Sequence, residues 1–198
     1  MSDRRGRRAL GIADSSVGDR CTLAGAVVRG DRVVDGAGFA TATVGGLDAT
    51  DAVLRIVTAL DREDVASLVI GTIAPARFNV IDLSRLYEGV DGPTIAVTFD
   101  PSDGLEPAIR DSFSGDDRSE RLERYRRLPP RRPVTVNDET VYVRALGASP
   151  AEAADIVRTF TPEGGRPEPI RVARQLARAG AAYLDRERDA DRPDRSDR

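Results

Sequence analysis

The sequence has no histidine, no lysine and a single cysteine, Cys21, among its 198 residues. Without histidine, the chain cannot build a Ser-His-Asp or Cys-His catalytic site, or a zinc site that needs imidazole ligands. One cysteine excludes an internal disulfide and favours a reducing setting. Long apolar runs are also missing, and the first residues do not resemble a signal peptide. We therefore expect a cytoplasmic protein that does not enter a membrane.

Because lysine is absent, all 30 basic residues are arginines, and they face 33 acidic residues for a net charge of -3. This usage suggests a GC-rich, salt-adapted genome, although the net charge is mild for a halophilic surface. The length and the 40% hydrophobic content fit one globular domain. We expect a basic N-terminal arm at 1–8, a single domain at 9–184 and a disordered charged tail at 185–198.

The apolar pattern predicts an antiparallel β-meander followed by alternating α and β elements. Strands are expected at 10–13, 22–29 and 32–44, the last interrupted by glycines, and buried strands at 66–70 and 94–99. Helices are expected after Asp48, at 80–87 and across 105–128, and a second hairpin at 134–144. A capping box of Ser149 and Glu152 opens the first of two closing helices. The pattern indicates an α/β fold whose mixed sheet has helices on both faces.

Asp14 follows the first predicted strand and is the candidate catalytic residue. A carboxylate delivered from a core strand is costly unless it is paired, hydrogen-bonded or bound to a metal ion. In the alternative interpretation, Asp14 only caps the following turn together with Ser15 and Ser16.

Three further aspartates are candidate metal ligands with Asp14. Asp48 and Asp51 stand at the start of a predicted helix, and Asp82 stands at the start of another. Helix capping and the helix dipole explain each of them without a metal. If they converge on Asp14, their oxygen atoms suit Mg²⁺ or Mn²⁺. Spacing along the chain leaves both interpretations open.

Glu168 lies between two prolines at the start of the last predicted helix, and Arg171 and Arg174 follow on one face. All three are candidate binding residues: Glu168 is expected to fix the entry of this helix, and the arginines could contact phosphates of DNA or RNA. Arginine clusters at 4–8 and 121–132 have the same potential. The alternative is a solvated surface on which arginines pair with aspartates.

Four separated segments together resemble an archaeal family, the one catalogued as domain of unknown function number ninety-nine. They are Gly-Ile-Ala-Asp-Ser at 11–15, Gly-Leu-Asp-Ala-Thr at 46–50, Ala-Arg-Phe-Asn-Val-Ile-Asp at 76–82 and Arg-Pro-Glu-Pro-Ile-Arg-Val-Ala at 166–173. Arg77 and Asn79 of the third segment are candidate binding residues. The family is similar to endonuclease V, a ribonuclease H-like nuclease that uses Mg²⁺ to cut next to deaminated purines. This resemblance implies a ribonuclease H-like fold with Asp14 at the position of a catalytic aspartate.

The departures from endonuclease V fall on its active site. Ile-Gly-Thr at 70–72 replaces its Asp-Gly motif, Gly-Ala at 147–148 replaces Gly-His, and its Pro-Tyr-Ile-Pro-Gly wedge has no counterpart near 45–50. The resemblance thus implies a protein that associates with DNA or RNA and keeps only part of the catalytic site. Two alternatives stay open: a Mg²⁺- or Mn²⁺-dependent phosphodiesterase or nuclease centred on Asp14, and a non-catalytic scaffold or adaptor.

Overall fold

The computed structural model describes residues 6–190, which form one mixed sheet with helices packed on both faces. The strands are β1 (Arg8–Val17), β2 (Arg20–Arg29), β3 (Val34–Thr43), β4 (Val65–Ile70), β5 (Thr94–Thr98), β6 (Arg132–Val136) and β7 (Glu139–Leu146). The helices are α1 (Ala49–Leu60), α3 (Leu83–Glu88), α4 (Glu106–Ser112), α5 (Gly115–Arg126), α6 (Pro150–Thr159) and α7 (Glu168–Ala190). The short segment α2 (Pro75–Phe78) is a single turn whose backbone is left-handed from Ala76 onward.

The seven strands lie in the order β3-β2-β1-β4-β5-β7-β6. β1, β4 and β5 are parallel and occupy the centre, whereas the β1–β2–β3 meander and the β6–β7 hairpin are antiparallel. Parallel strands end at the same edge of a sheet, and ligands of open α/β sheets bind in the crevice outside these carboxyl ends. The predicted order of a meander followed by α/β units is confirmed, and the architecture is ribonuclease H-like.

Alternation along β1 divides the core into two layers. Leu10 and Ile12 face one side, where they pack with Ile56 of α1. Ala13 faces the other side and packs with Ala173 of α7. Because successive residues of a strand point to opposite faces, Asp14 belongs to the α1 side of the sheet. Both faces of the central strands are therefore covered, as the uninterrupted apolar runs of the sequence predict.

The first turn of α7 lies directly against the central strands. A side chain at Gly11 of β1 would overlap the backbone carbonyl of Pro169. A Cβ at Gly71, just after β4, would lie 2.6 Å from Cγ2 of Ile170. Glycine at these two positions lets the helix approach the sheet, and this approach fixes where α7 starts relative to Asp14.

β1 is longer than predicted, and this changes the interpretation of Asp14. The strand pairs with β2 as far as Val17, opposite Arg20, so Asp14 lies inside the strand and pairs with Leu23. The prediction that the strand ends at residue 13 is wrong because the antiparallel hairpin continues past the shorter parallel neighbour β4. Asp14 consequently does not cap a turn.

Two other boundaries differ from the sequence prediction. β3 runs without a break through Gly36 and Gly38, because a register shift opposite Val27 and Val28 absorbs the irregularity. The helix predicted at 80–87 begins at Leu83, since the Asp82 side chain caps it there.

The last helix continues to Ala190, beyond the predicted domain end at residue 184. Its final turns gain polar contacts that composition does not reveal: Arg186 Nε donates to the Ala182 carbonyl at 3.2 Å, and Arg188 lies 3.3 Å from Asp19. The remainder of the predicted tail, 191–198, and residues 1–5 of the predicted arm lie outside the described residues. Within 6–190, no helix has the length and apolar character needed to span a membrane.

Candidate active site

Asp14 lies at the open end of the central strands. β4 ends at Ile70, which pairs with Ile12, and the Gly71 N–H donates to the Ile12 carbonyl at 2.9 Å. Asp14 is two residues further along β1, so it stands beyond the end of its parallel neighbour. This is the edge at which a crevice between parallel strands is expected to bind ligands.

The Asp14 carboxylate has few partners for a partly buried charge. Burial raises its pKa above the ordinary value, and this effect exceeds the opposing influence of Arg174 and of the backbone N–H groups of Asp14 and Ala76. The Cys21 thiol is a weak donor at 3.9 Å from Oδ2. A carboxylate held in this condition is available to a proton or a cation, which is a common property of functional sites.

A left-handed backbone turn stands beside Asp14. Three successive residues without glycine have positive φ: Ala76 at 49°, Arg77 at 56° and Phe78 at 62°. Left-handed conformation costs about 1–2 kcal/mol for each such residue, so the surrounding structure must hold it. The Gly45 N–H donates to the Ala76 carbonyl at 2.7 Å, and the Phe78 ring packs edge-on against Phe113. The turn carries the exposed Arg77 at the edge of the Asp14 site.

Asn79, which follows this turn, is a structural residue. It is fully buried, and its amide nitrogen donates to Asp48 Oδ1 at 2.7 Å and to the Thr43 carbonyl at 3.0 Å. Its amide oxygen accepts the Ala49 N–H at 2.9 Å. Asn79 therefore ties the end of β3 to the first turn of α1. Because both polar atoms of the side chain are engaged within the protein, its predicted role in binding has no support from these contacts.

Asp48 precedes α1 as predicted, but its side chain does not cap the helix. The carboxylate instead accepts the Thr43 N–H at 3.1 Å, the Thr43 hydroxyl at 3.0 Å and the Asn79 amide. Partial burial alone would raise the pKa of Asp48, but these hydrogen bonds outweigh it and the pKa is lowered. Asp48 is thus an ionised carboxylate whose acceptor positions are largely occupied.

The Cys21 thiol lies near both carboxylates. Burial raises its pKa to about 11, and the negative charges of Asp14 and Asp48 add to the rise. A thiol in this state stays protonated at neutral pH and is a poor nucleophile. Cys21 consequently serves as packing between the two acids.

The other two predicted metal ligands lie elsewhere. Asp51 forms an ion pair with Arg85 at 2.8 Å on an exposed surface. Asp82 caps α3, accepting the N–H groups of Ser84 at 3.0 Å and Arg85 at 3.1 Å. The structural alternative stated for Asp82 is therefore the one that the structure supports.

A metal site of several carboxylates does not form within residues 6–190, where no three His, Cys, Asp or Glu side chains are arranged to hold an ion. The four predicted ligands Asp14, Asp48, Asp51 and Asp82 are not brought together. Mg²⁺ often keeps several waters and binds through one or two carboxylates plus substrate phosphates. The residues present fit one such cation anchored by Asp14, and they do not fit a two-cation centre.

The predicted pair at the start of α7 is self-contained. Glu168 and Arg171 form a two-point ion pair, with Arg171 Nε 2.7 Å from Glu168 Oε2. The hydrogen bonds from Arg171 hold the pKa of Glu168 below its ordinary value. The expectation that Glu168 fixes the helix entry fits this position, whereas Arg174, one turn later, is the residue of this helix that acts on Asp14.

Two arginines predicted as phosphate contacts instead support the loop between β3 and α1. Arg121 is only 2% exposed, stacks on the Phe113 ring at 3.9 Å and donates to the carbonyls of Gly45 and Gly46. Arg124 donates to the Leu47 carbonyl at 2.9 Å. Helix α5 therefore clamps the loop that leads into Asp48.

Next to the Asp14 site, a cavity of about 510 Å³ opens at the carboxyl ends of β4 and β5. Four of its lining residues are arginines: Arg131, Arg144, Arg166 and Arg174. Sequence reasoning named Arg131 and Arg174 but missed Arg144 and Arg166. Arg144 lies in a predicted strand and Arg166 beside a glycine pair, so only the pairing of β5 with β7 reveals that they converge.

The fold is similar to that of endonuclease V. Endonuclease V of Ciona intestinalis, solved with a 23-mer DNA containing an inosine, has a TM-score of 0.62 and 13% identity, covering 90% of this chain and 86% of that one. Endonuclease V of Streptomyces avermitilis has a TM-score of 0.61 and 19% identity, covering 91% and 84%. The likeness to endonuclease V expected from the sequence is confirmed for the fold.

The chain belongs to the endonuclease dU family, whose sequence model matches residues 5–180. A UPF0215 protein of Pyrobaculum calidifontis is 36% identical over 166 residues, which is 83% of this chain and 90% of that protein. One from Thermococcus gammatolerans is 35% identical over 162 residues, 81% of each. A protein of unknown function from Archaeoglobus fulgidus has a solved structure with a TM-score of 0.76 and 25% identity, covering 90% of this chain and 98% of that one.

Proposed function

We propose that this protein is a divalent-metal-dependent endonuclease that cuts DNA next to deoxyuridine, with Asp14 at the reaction centre. The family description names an endonuclease and dU, which denotes deoxyuridine. One observation carries the proposal: a partly buried carboxylate with a raised pKa stands at the open end of the sheet. Such a charge is costly to keep, and a bound cation would remove that cost.

The residues around Asp14 suit a phosphodiester. Mg²⁺ or Mn²⁺, when bound, supplies activation of a water molecule and neutralises charge that develops on the phosphate. Asp14 would anchor the cation, and the backbone N–H of Ala76, in the strained turn, would help to orient the carboxylate. Arg174 on α7 and Arg77 at the tip of the turn would hold the phosphate from two sides. Guanidinium groups suit this role because they form paired hydrogen bonds with phosphate oxygens.

The test uses the full chain and end-labelled DNA containing one deoxyuridine, compared with the same DNA containing thymidine and with RNA of the same sequence. Cleavage is measured with Mg²⁺, with Mn²⁺ and with EDTA. We expect metal-dependent cleavage of the deoxyuridine strand alone. Asp14→Asn should reduce the rate at least about 100-fold, the scale for losing a group that acts directly on transition-state charge. Asp51→Asn is the matched control, since Asp51 is exposed and paired with Arg85.

A second candidate function is binding of nucleic acid without cleavage. It is favoured by the balance of charge at the crevice, where four arginines line the cavity and one carboxylate, Asp100, joins them. Tight binding with no cleavage under any metal would establish this alternative and refute the enzyme proposal. Equal cleavage rates for wild type and Asp14→Asn would refute the placement of Asp14 at the reaction centre.

We also propose that the protein acts in the cytoplasm. The support is compositional, since Cys21 is a free and buried thiol and the chain has no other cysteine. Cell fractionation with detection of the intact chain would test this location.

A further inference from the structure

The cavity beside Asp14 has an unusual charge for a protein whose net charge is negative. Its arginines lie on four different elements or loops, at Arg131, Arg144, Arg166 and Arg174. Within residues 6–190, none of the four forms an ion pair with a carboxylate. Many other arginines of the chain do: Arg62, for example, pairs with Asp35 at 3.0 Å and Asp64 at 2.8 Å. The carboxylate of Asp100 also lines the cavity, but it stands against four arginines, so the net charge of the lining is positive.

Three of the four guanidinium groups are held in place. Arg131 stacks on the Tyr142 ring at 3.8 Å and donates to Thr98 Oγ1 at 3.3 Å and to the Ser102 carbonyl at 2.9 Å. Arg144 donates to the Pro129 carbonyl, and its guanidinium carbon lies 5.6 Å from the centre of the Tyr125 ring. These partners are neutral, so they orient the arginine without cancelling its charge.

Arg166 lies over an aromatic ring. Its guanidinium carbon lies 4.0 Å from the centre of the Phe99 ring. A cation over a ring keeps its N–H edges available for other acceptors. Arginines that are oriented before binding lose little side-chain entropy when an anion arrives, and this favours affinity.

Several positive charges lie close together at the cavity. Burial lowers the pKa of Arg144, and the nearby Arg131 lowers it further against the opposing influence of Tyr125. Burial likewise lowers the pKa of Arg166, where repulsion from Arg174 and Arg178 opposes the attraction of Asp100 and Glu139. Both arginines remain charged near neutral pH, so the repulsion persists until an anion enters. Perturbed groups that surround a cavity are typical of binding sites.

We propose that this arginine cavity binds a backbone phosphate of the nucleic-acid strand, at a nucleotide next to the one held at Asp14. The inference rests on the proposed function for the identity of the strand, and it adds a phosphate subsite on the side away from β1. Arg174 connects the two places, because it lines the cavity and also acts on Asp14. A volume of about 510 Å³ accommodates one nucleotide unit.

The test measures binding in EDTA, so that it does not depend on cleavage. Fluorescence anisotropy with a labelled single-stranded DNA is followed at several salt concentrations for wild type, Arg166→Gln and Arg174→Gln. Each loss of one phosphate contact should weaken binding roughly threefold to tenfold and reduce the slope of log K against log salt by about 0.7. Arg118→Gln is the matched control, because Arg118 is exposed and does not line the cavity.

A second arm distinguishes a strand from a free phosphate. Inorganic phosphate and deoxyuridine monophosphate are titrated into the protein, and thermal stability and competition with the labelled DNA are recorded. Competition together with the reduced salt slope supports a strand phosphate. If the small anions stabilise wild type but not Arg166→Gln, while DNA binding is unchanged by that substitution, the strand assignment is wrong. Unchanged binding of DNA and small anions in both variants would overturn the proposal.

Failure here is separable from failure of the proposed function. Asp14→Asn should keep the metal-free salt slope of wild type even though it loses cleavage. If cleavage is absent but the Arg166→Gln slope is reduced, the phosphate subsite stands and the enzyme proposal falls. If cleavage depends on Asp14 but the salt slopes of wild type and Arg166→Gln are equal, the enzyme proposal stands and the phosphate subsite falls. Circular dichroism of each variant establishes that it is folded before binding is compared.

Discussion

Asp14 and Asp48 stand near the same buried thiol, yet the protein treats the two carboxylates in opposite ways. Asp48 receives hydrogen bonds from Thr43 and Asn79, and its pKa is lowered. Asp14 receives little, and burial raises its pKa. Asp14 is the carboxylate available to a ligand, because the fold supplies it with few hydrogen-bond donors. Asp48, whose acceptor positions are occupied, has a structural role.

The largest expected effect comes from removing the amide that serves the Asp48 region. Asn79→Ala leaves the buried Ala49 N–H and two of the acceptors around Thr43 and Asp48 without their partner. We expect a loss of about 3 kcal/mol in the free energy of unfolding, measured by urea denaturation. Asn79→Asp should be at least as disruptive at neutral pH, because it places a second carboxylate against Asp48. A loss below about 1 kcal/mol for Asn79→Ala would show that water replaces the amide.

Removing the charge of Asp48 should cost less. Asp48→Asn weakens the bonds from Thr43, and we expect about 1–2 kcal/mol of destabilisation at pH 7. Because the folded-state pKa is lowered, the stabilisation from this carboxylate is present above its ordinary pKa of 3.8 and is lost as pH falls through the folded value. Denaturation between pH 2 and pH 7 should therefore show the two proteins converging in acid. A difference that is constant with pH would contradict the assignment.

Asp14→Asn should change the stability of the protein in the opposite direction, towards greater stability at neutral pH. A raised folded-state pKa means that the folded protein holds its proton more tightly, so stability falls as pH rises from 3.8 through the folded value. Asp14→Asn removes this penalty and should unfold at a modestly higher temperature than wild type at pH 7. The gain should vanish below the ordinary pKa. Asp51→Asn serves as the control, and a lower unfolding temperature for Asp14→Asn would show that its few partners outweigh burial.

The smallest effect is expected at Glu168, an acid outside the Asp14 site. Glu168→Gln breaks the ion pair with Arg171, whose side chain is 53% exposed, whereas the Glu168 side chain is 14% exposed. Because solvent screens the exposed partner and glutamine keeps the shape of the side chain, we expect the free energy of unfolding to fall by about 1 kcal/mol or less. Cleavage and metal dependence should stay at wild-type levels. A large loss of activity would bring Glu168 into the catalytic site after all.

Local signals in the sequence predicted the local structure well. Both hydrogen bonds of the predicted capping box form between Ser149 and Glu152. Both predicted hairpins also form. The central strands were recognisable because residues buried on both faces form uninterrupted apolar runs. The length of β1 could not be predicted in this way, because the strand extends by pairing with β2 beyond the point where β4 ends.

The site was only partly predictable, because its decisive features arise from contacts distant in sequence. Asp48 has the position of a helix cap, but the donors that engage it come from Thr43 and Asn79. The left-handed turn at Ala76 contains no glycine to announce it. Arg144 and Arg166 are distant in sequence, and only the folded structure shows that both line one cavity. The sequence singles out Asp14 as a candidate, but it does not reveal the contacts that surround this side chain.

The close approach of Gly11 and Pro169 also governs when the chain can acquire its native state. β1 is covered by α7, so α7 must leave the ribosome before this half of the core is sealed. Contacts between such remote segments slow folding and leave sticky intermediates exposed. A nascent chain lacking α7 would display the alanine-lined surface around Ala13, and we expect it to engage chaperones until α7 emerges.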